Sequence, residues 1–207
     1  TLLNDMNYAD GTTAEGFLGG AIYAVNGIKP FCDEVLIVTT AGPDFDQYFG
    51  EYYRKNHLST EGVQLVLPKT HYNTLDYEAD GRWREYSKYG PAFEQEWWPK
   101  AHIQAAYVIR YASQQTRGIY FESGVREPVW ERLGEIREAA PNAKIMWELP
   151  TPDVDNPAVK ADIQALIERC DIYSLNLPES MTYFGARSEQ ESIAAILALG
   201  KPCFFRV

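Results

Sequence analysis

The sequence is poor in basic residues, cysteine and histidine, and it contains no long apolar run. Lys and Arg number 19 against 29 Asp and Glu in 207 residues, a formal net charge of −10. Phosphate backbones are held by clustered Lys and Arg, so this balance argues against a nucleic-acid binder. It argues equally against adhesion to an anionic membrane surface. The three cysteines, Cys32, Cys170 and Cys203, are an odd set without C-x-x-C spacing. They fit ordinary thiols in a reducing compartment better than a disulfide framework or a zinc site. His57, His71 and His102 are scattered without metal-ligand spacing and read as structural or solvated. Apolar stretches such as 193–199 are far too short to span a bilayer, and no signal peptide is visible. Gly16, Gly19 and Gly20 do not have the G-x-G-x-x-G spacing of a dinucleotide fold, which disfavours an oxidoreductase. These readings give a cytoplasmic protein with a small-molecule partner, no nucleic acid and no membrane.

What is present is a rich core: 45% of residues are hydrophobic and 14% aromatic. The chain is long enough for one large α/β domain or two small ones. Glu34–Thr40 is a β-branched apolar run, as expected of a strand buried on both faces. Ala105–Arg110, Lys144–Trp147 and Asp171–Leu175 read as further buried strands, and a helical stretch covers Phe45–His57. In Pro157–Cys170 the residues Val159, Ile163, Leu166, Ile167 and Cys170 form one helical stripe. Ser188-Glu189-Gln190-Glu191 is a capping-box pattern opening a helix that carries Ile193, Ile196 and Leu197. Strands alternating with such helices predict a mostly parallel sheet covered on both faces. Residues 63–90 break the alternation. A short strand at Val63–Leu67 is followed by two strand-like arms around Asp80-Gly81, a two-residue hairpin signal. Thr1-Leu2-Leu3 and Cys203-Phe204-Phe205 each read as a strand whose natural continuation is removed, so an incomplete chain is expected.

Parallel sheets bind ligands at the carboxyl ends of their strands, so the residues there are the candidates. Asp5 follows the first strand, and Gly19-Gly20-Ala21 opens a helix. Paired glycines let a backbone approach a ligand closely; a plain tight turn is the alternative. Arg110 at a strand end suits an anionic substrate group or a neighbouring carboxylate. Glu148 and Asn176-Leu177-Pro178-Glu179 follow two further strands, where two acidic residues can hold Mg²⁺ through water. The plainer alternative is a solvated carboxylate and an N-cap asparagine.

Taken in order, these pieces resemble the ribokinase-like, or PfkB, carbohydrate kinases, nearly end to end. Asp5 sits where that family keeps an aspartate for acceptor hydroxyls, and Gly19-Gly20-Ala21 resembles its di-glycine. Ala41-Gly42-Pro43-Asp44 through Gly50 resembles its G-x-D-x-x-G stretch, with the last glycine displaced. Thr74–Ala79, the turn at 80–82 and Gly90-Pro91-Ala92 resemble its hairpin and following loop. Glu148 matches an acidic residue ahead of a proline, and Asn176-Leu177-Pro178-Glu179 matches the N-x-x-E motif linked to Mg²⁺ and phosphate. The sequence departs from the family in two places. Tyr23 and Ala24 stand where sugar kinases have an acceptor-contacting Asn, and the strand ending at Arg110 lacks an acidic acceptor contact.

The resemblance implies a single three-layer α/β domain over 1–207, with helices on both faces of a mostly parallel sheet. A small hairpin lid, inserted at about 63–90, completes that fold. It implies ATP-dependent phosphorylation of a hydroxyl on a sugar or nucleoside, with ATP and Mg²⁺ as cofactors, and a homodimer is compatible with it. Asp5, Gly19, Gly20 and Arg110 would bind the acceptor. Asn176, Glu179 and Glu148 would organise the nucleotide, and Glu179 the metal. The family's base is the Asp of a G-x-G-D motif, which does not occur between Thr1 and Val207 and is expected beyond it. A non-catalytic ligand-binding member of the same fold is the alternative.

Overall fold

The computed structural model describes residues 1–79 and 83–207. The chain divides into two compact units, Thr1–Ile103 and Gln104–Val207. The Asp80-Gly81 turn lies outside the described residues.

The first unit runs β1 (Leu2–Asn7), β2 (Thr13–Gly19), α1 (Ala21–Ile28), β3 (Thr39–Ala41), α2 (Phe45–Lys55), β4 (Val63–Leu65), β5 (Tyr72–Tyr77), β6 (Trp83–Ser87) and α3 (Pro91–Ala101). Its larger sheet has the order β2-β1-β5-β6. The central pair β1–β5 is parallel, and both outer pairs are antiparallel. The two expected arms therefore do form a hairpin, β5–β6. Its register sets Tyr77 opposite Trp83, a detail that decides the site below. The apolar run at 34–40 becomes a strand only at Thr39–Ala41, paired with β4. Its partner is three residues long, so the ladder can be no longer. Ile37 is buried all the same, in a core with Leu3, Ile22, Val25, Ala41, Phe45, Phe49 and Tyr53. Phe45 and Phe49 stack at 5.4 Å, and Tyr53 meets Phe45 edge-on. These are successive turns of α2, whose apolar face follows the 3.6-residue period.

Gly42 shows why the Gly-Pro-Asp stretch after β3 has that composition. A β-carbon there would lie 2.4 Å from the backbone of Lys69. Two residues on, Asp44 accepts hydrogen bonds from the Thr70 amide at 2.8 Å and its hydroxyl at 2.7 Å. The stretch thus clamps the segment leading into β5.

The second unit runs α4 (Ala105–Ile109), β7 (Gly118–Glu122), α5 (Leu133–Ala139), β8 (Lys144–Glu148), α6 (Thr151–Val154), α7 (Lys160–Arg169), β9 (Ile172–Asn176), α8 (Leu177–Phe184), α9 (Glu189–Ala198) and β10 (Cys203–Arg206). Its sheet is wholly parallel, in the order β10-β9-β8-β7. Ala105–Ile109, expected as a strand, is helical. Ala105 and Val108 are buried while Ala106 and Arg110 are exposed, a helical spacing that a five-residue apolar run cannot signal in advance. The strands β8 and β9 fall where expected, and every residue of the α7 stripe from Val159 to Cys170 is buried. Ser188 caps α9 by accepting from the Glu191 amide. Of that helix's Ile193, Ile196 and Leu197, however, only Ile196 is buried.

Among the described residues no helix is long and apolar enough to cross a membrane. All three cysteines are free thiols.

Candidate functional site

The first candidate cluster lies on one face of the β2-β1-β5-β6 sheet. Successive strand residues alternate faces, so Leu3 and Asp5 share one, and Tyr72, opposite Leu3, joins them. The Lys88 amide donates to the Tyr72 carbonyl at 2.8 Å, which carries the β5–β6 pairing one residue past β6. Lys88 thereby reaches the same face. Asp5 is buried, and its carboxylate receives three donors. Oδ1 accepts from the Gly16 amide at 3.0 Å and the Tyr72 hydroxyl at 2.6 Å. Oδ2 accepts from Lys88 Nζ at 2.5 Å. The ammonium also lies 4.2 Å from the Tyr72 ring centre.

Burial by itself would raise the Asp5 carboxyl. The hydrogen bonds from Lys88, Tyr72 and Gly16 outweigh it and hold the group below the ordinary aspartate range. The same bond to Asp5 raises the Lys88 ammonium. Burial, then the bond to Asp5, raises the Tyr72 hydroxyl, so it remains a donor. The charge pattern is therefore fixed: an ionised carboxylate, a protonated amine and a neutral phenol. A carboxylate offers about four acceptor positions, so after three bonds Asp5 has room for one further hydroxyl, on Oδ2.

Gly19 ends β2 beside this cluster. A β-carbon there would lie 2.7 Å from Asn4 Nδ2 and 2.8 Å from Leu2 Cδ1, so the residue's smallness serves the β1–β2 packing. Gly20 stands at the N-cap of α1 without a side chain to cap it.

The second cluster lies at the carboxyl edge of the parallel sheet. Glu148 ends β8 and Asn176 ends β9. Asn176 caps α8: its Oδ1 accepts from the Glu179 amide at 2.9 Å, while Glu179 Oε2 accepts from the Asn176 amide at 2.8 Å. The N-x-x-E sequence is thus a capping box. Glu179 is buried rather than solvated, and its Oε1 takes the Thr151 hydroxyl at 2.8 Å. Glu148 accepts from Tyr120. Burial, and then this bond, raises the Tyr120 hydroxyl. Arg206, from β10, joins the two carboxylates: Nη1 is 2.7 Å from Glu148 and Nη2 is 3.6 Å from Glu179. Adjacent parallel strands bring all these groups to one edge, the carboxyl edge at which such sheets bind ligands.

Glu148, Asn176 and Glu179 are thus brought together. Arg110 is not at a strand end. It caps α4, is exposed, and lies over the ring of its neighbour Tyr111 at 5.5 Å. Among the described residues no group of three or more His, Cys, Asp or Glu is placed to hold a metal. Sequence reasoning missed Tyr72, Lys88, Tyr120 and Arg206. Only the strand register could have announced the first two. Arg206 ends the apolar run at 203–205 as the one charged residue there, at the strand end where candidates are sought.

No protein-family model matches the sequence, and no curated protein is similar to it. Solved structures are similar in fold. Aminoimidazole riboside kinase from Salmonella enterica, complexed with aminoimidazole riboside and an ATP analogue, superposes with a TM-score of 0.69 at 14% identity, over 99% of this chain and 67% of that one. Fructokinase from Halothermothrix orenii gives 0.62 at 15% identity, over 100% and 76%. Fructokinase from Vibrio cholerae O395, with fructose, ADP and calcium ion bound, gives 0.65 at 11% identity, over 100% and 68%. The chain has the ribokinase-like α/β fold, shared with sugar and nucleoside kinases.

Proposed function

We propose that the protein is an ATP-dependent phosphotransferase acting on a hydroxyl of a sugar or sugar-like molecule. The observation that carries this is the Asp5 carboxylate, held ionised by three donors on a ribokinase-like fold, with one acceptor position left for a hydroxyl. Asp5 binds and orients the acceptor, while Gly16 and Tyr72 keep the carboxylate aimed. Orientation of this kind supplies a large share of the rate enhancement in phosphoryl transfer, where the protein does little covalent chemistry.

The second cluster fits a hydrated magnesium ion. Two carboxylates and one guanidinium leave a net single negative charge, and the hard cation prefers carboxylate oxygen while retaining most of its water. Glu148 and Glu179 would hold it through that water, and Asn176 and the start of α8 would face the nucleotide phosphates. Bound Mg²⁺–ATP supplies the transferable phosphoryl group and neutralises its charge. Glu179 keeps its orientation through Thr151 and the Asn176 amide, so the site is held before any ligand arrives. No residue between Thr1 and Val207 is assigned as the base.

The test is calorimetric binding of a non-hydrolysable ATP analogue with Mg²⁺, alongside ADP release against a panel of sugars and nucleosides. Binding of both ligands with acceptor-dependent ADP release is the expected result. Binding without ADP release identifies a non-catalytic ligand-binding member of the fold. Failure of the analogue to bind refutes the proposal.

A further inference from the structure

The group that the acceptor site presents to solvent is a cation. Asp5 Oδ1 has both of its acceptor positions filled, and Oδ2 is already shared with Lys88. The Asp5 side chain is 13% exposed, whereas that of Lys88 is 45% exposed. The ammonium carries three donors. One is spent on Asp5 and a second is turned towards Tyr72, which leaves one for a ligand. Lys88 is also held in place, unlike a surface lysine free to sweep through solvent. Its amide is locked to Tyr72, its Nζ is bonded to Asp5, and its charge rests on the Tyr72 ring. Tyr72 is in turn braced edge-on by Tyr48 at 6.1 Å. An incoming ligand thus meets a fixed ammonium donor beside a single carboxylate acceptor.

We infer that the acceptor is a polyol bearing a carboxylate, such as an aldonic or uronic sugar acid, and that Lys88 is the residue that selects it. The inference rests on the acceptor-site reading of Asp5 and deepens it. In this arrangement the remaining Lys88 donor takes the ligand carboxylate while Asp5 Oδ2 takes a hydroxyl on the neighbouring carbon. Charge-assisted hydrogen bonds are roughly twice as strong as neutral ones, so an ammonium fixed in this way favours an anion over a hydroxyl. One anionic charge matches one ammonium already shared with Asp5. A dianionic phosphate would meet the Asp5 charge without the backbone amides or paired cations that such groups ordinarily require.

The experiment uses pairs of ligands that differ only in the terminal group: gluconate with glucitol, and glucuronate with glucose, with glucose 6-phosphate as a further arm. Affinities are measured by calorimetry at low and at near-physiological salt. The acid of at least one pair is expected to bind at least about tenfold tighter than its neutral partner, with the preference shrinking as salt screens it. Lys88→Met is expected to bring the two members of each pair within about threefold, and Lys88→Arg to retain the preference. Equal binding of both members by the parent protein overturns the inference, as does a preference that survives in Lys88→Met. Tighter binding of the phosphate ester, or binding of neither member of either pair, also overturns it. Should Lys88→Met fold poorly, Lys88→Gln and the salt dependence of the parent carry the same decision. The ATP analogue is titrated in parallel. If it binds and neutral sugars alone support ADP release, the kinase reading stands and this inference falls; if the analogue fails to bind, the kinase reading itself falls.

Discussion

Glu179 performs a structural task and a proposed ligand-binding task, and two substitutions separate them. Its carboxylate closes the capping box with the Asn176 amide at 2.8 Å and takes the Thr151 hydroxyl at 2.8 Å, in a residue only 6% exposed. Glu179→Ala deletes both acceptors. Loss of the reciprocal cap costs about 1 kcal/mol, and leaving the buried partners unsatisfied costs about 1–3 kcal/mol. A total of about 2–4 kcal/mol is expected. Glu179→Gln keeps a carbonyl oxygen for the Asn176 amide, and its NH₂ can donate to the Thr151 hydroxyl, which rotates to accept. It loses only the charge facing Arg206 at 3.6 Å, about 1 kcal/mol or less. The difference of about 1–4 kcal/mol should therefore place Ala below Gln by about 2–16 °C in thermal unfolding followed by circular dichroism, at roughly 2–4 °C per kcal/mol for a chain of this size. Magnesium-dependent binding of the ATP analogue should rank differently. Both variants lose the negative charge, so both fall together. If Ala and Gln melt within about 1 °C of each other, the hydrogen-bond argument is wrong. If Gln binds Mg²⁺–analogue as the parent does, Glu179 is a capping residue alone.

Three further outcomes are expected. Gly42→Ala forces a β-carbon into the Lys69 backbone at 2.4 Å; a loss of about 2–3 kcal/mol in urea unfolding is expected, and an unchanged midpoint would show that the 42–44 clamp is not rigid. Asp5→Asn keeps the size of the side chain but removes the ion pair, so acceptor affinity should drop at least about tenfold while ATP-analogue affinity is retained; equal acceptor affinity in calorimetry would remove Asp5 from the site. His71 is buried with Nε2 unbonded, and burial, aided by His102, lowers it from 6.5 to about 4. Its folded-state value lies below its unfolded one, so the unfolded chain binds the extra proton between those values. The neutral imidazole's full contribution is present above pH 6.5 and is lost as pH falls towards 4. Unfolding midpoints of parent and His71→Gln should converge across that window, and parallel profiles would contradict it.

Much of the second unit was legible from local pattern alone. Lys144–Trp147 and Asp171–Leu175 are β-branched or apolar runs bounded by polar residues, and the α7 stripe repeats with helical period. Such signals survive because a strand or helix buried on a given face needs the same residues whatever surrounds it. The candidate residues at those strand ends followed from topology, so Glu148, Asn176 and Glu179 meet at one edge of the sheet. Ala105–Ile109 failed for the opposite reason. Five apolar residues fit a buried strand or a buried helical turn equally well, and packing chose the turn.

The first unit shows what lay beyond sequence. Asp5 was identifiable as a candidate, but its partners depend on a register. The observed register sets Trp83 opposite Tyr77. A one-residue slip moves every side chain of a strand to the other face. With the observed pairing, Lys88 stands opposite Tyr72 and reaches Asp5. With a slipped one, it would point away and leave the carboxylate without its cation. The sequence by itself determined the fold class and the ends of β8 and β9 with the residues on them, because hydrophobic period and turn chemistry are local. The tertiary structure alone decided which cation meets which carboxylate. Strand pairing across more than eighty residues, from Asp5 to Lys88, is a property of the assembled sheet, and no local pattern encodes it.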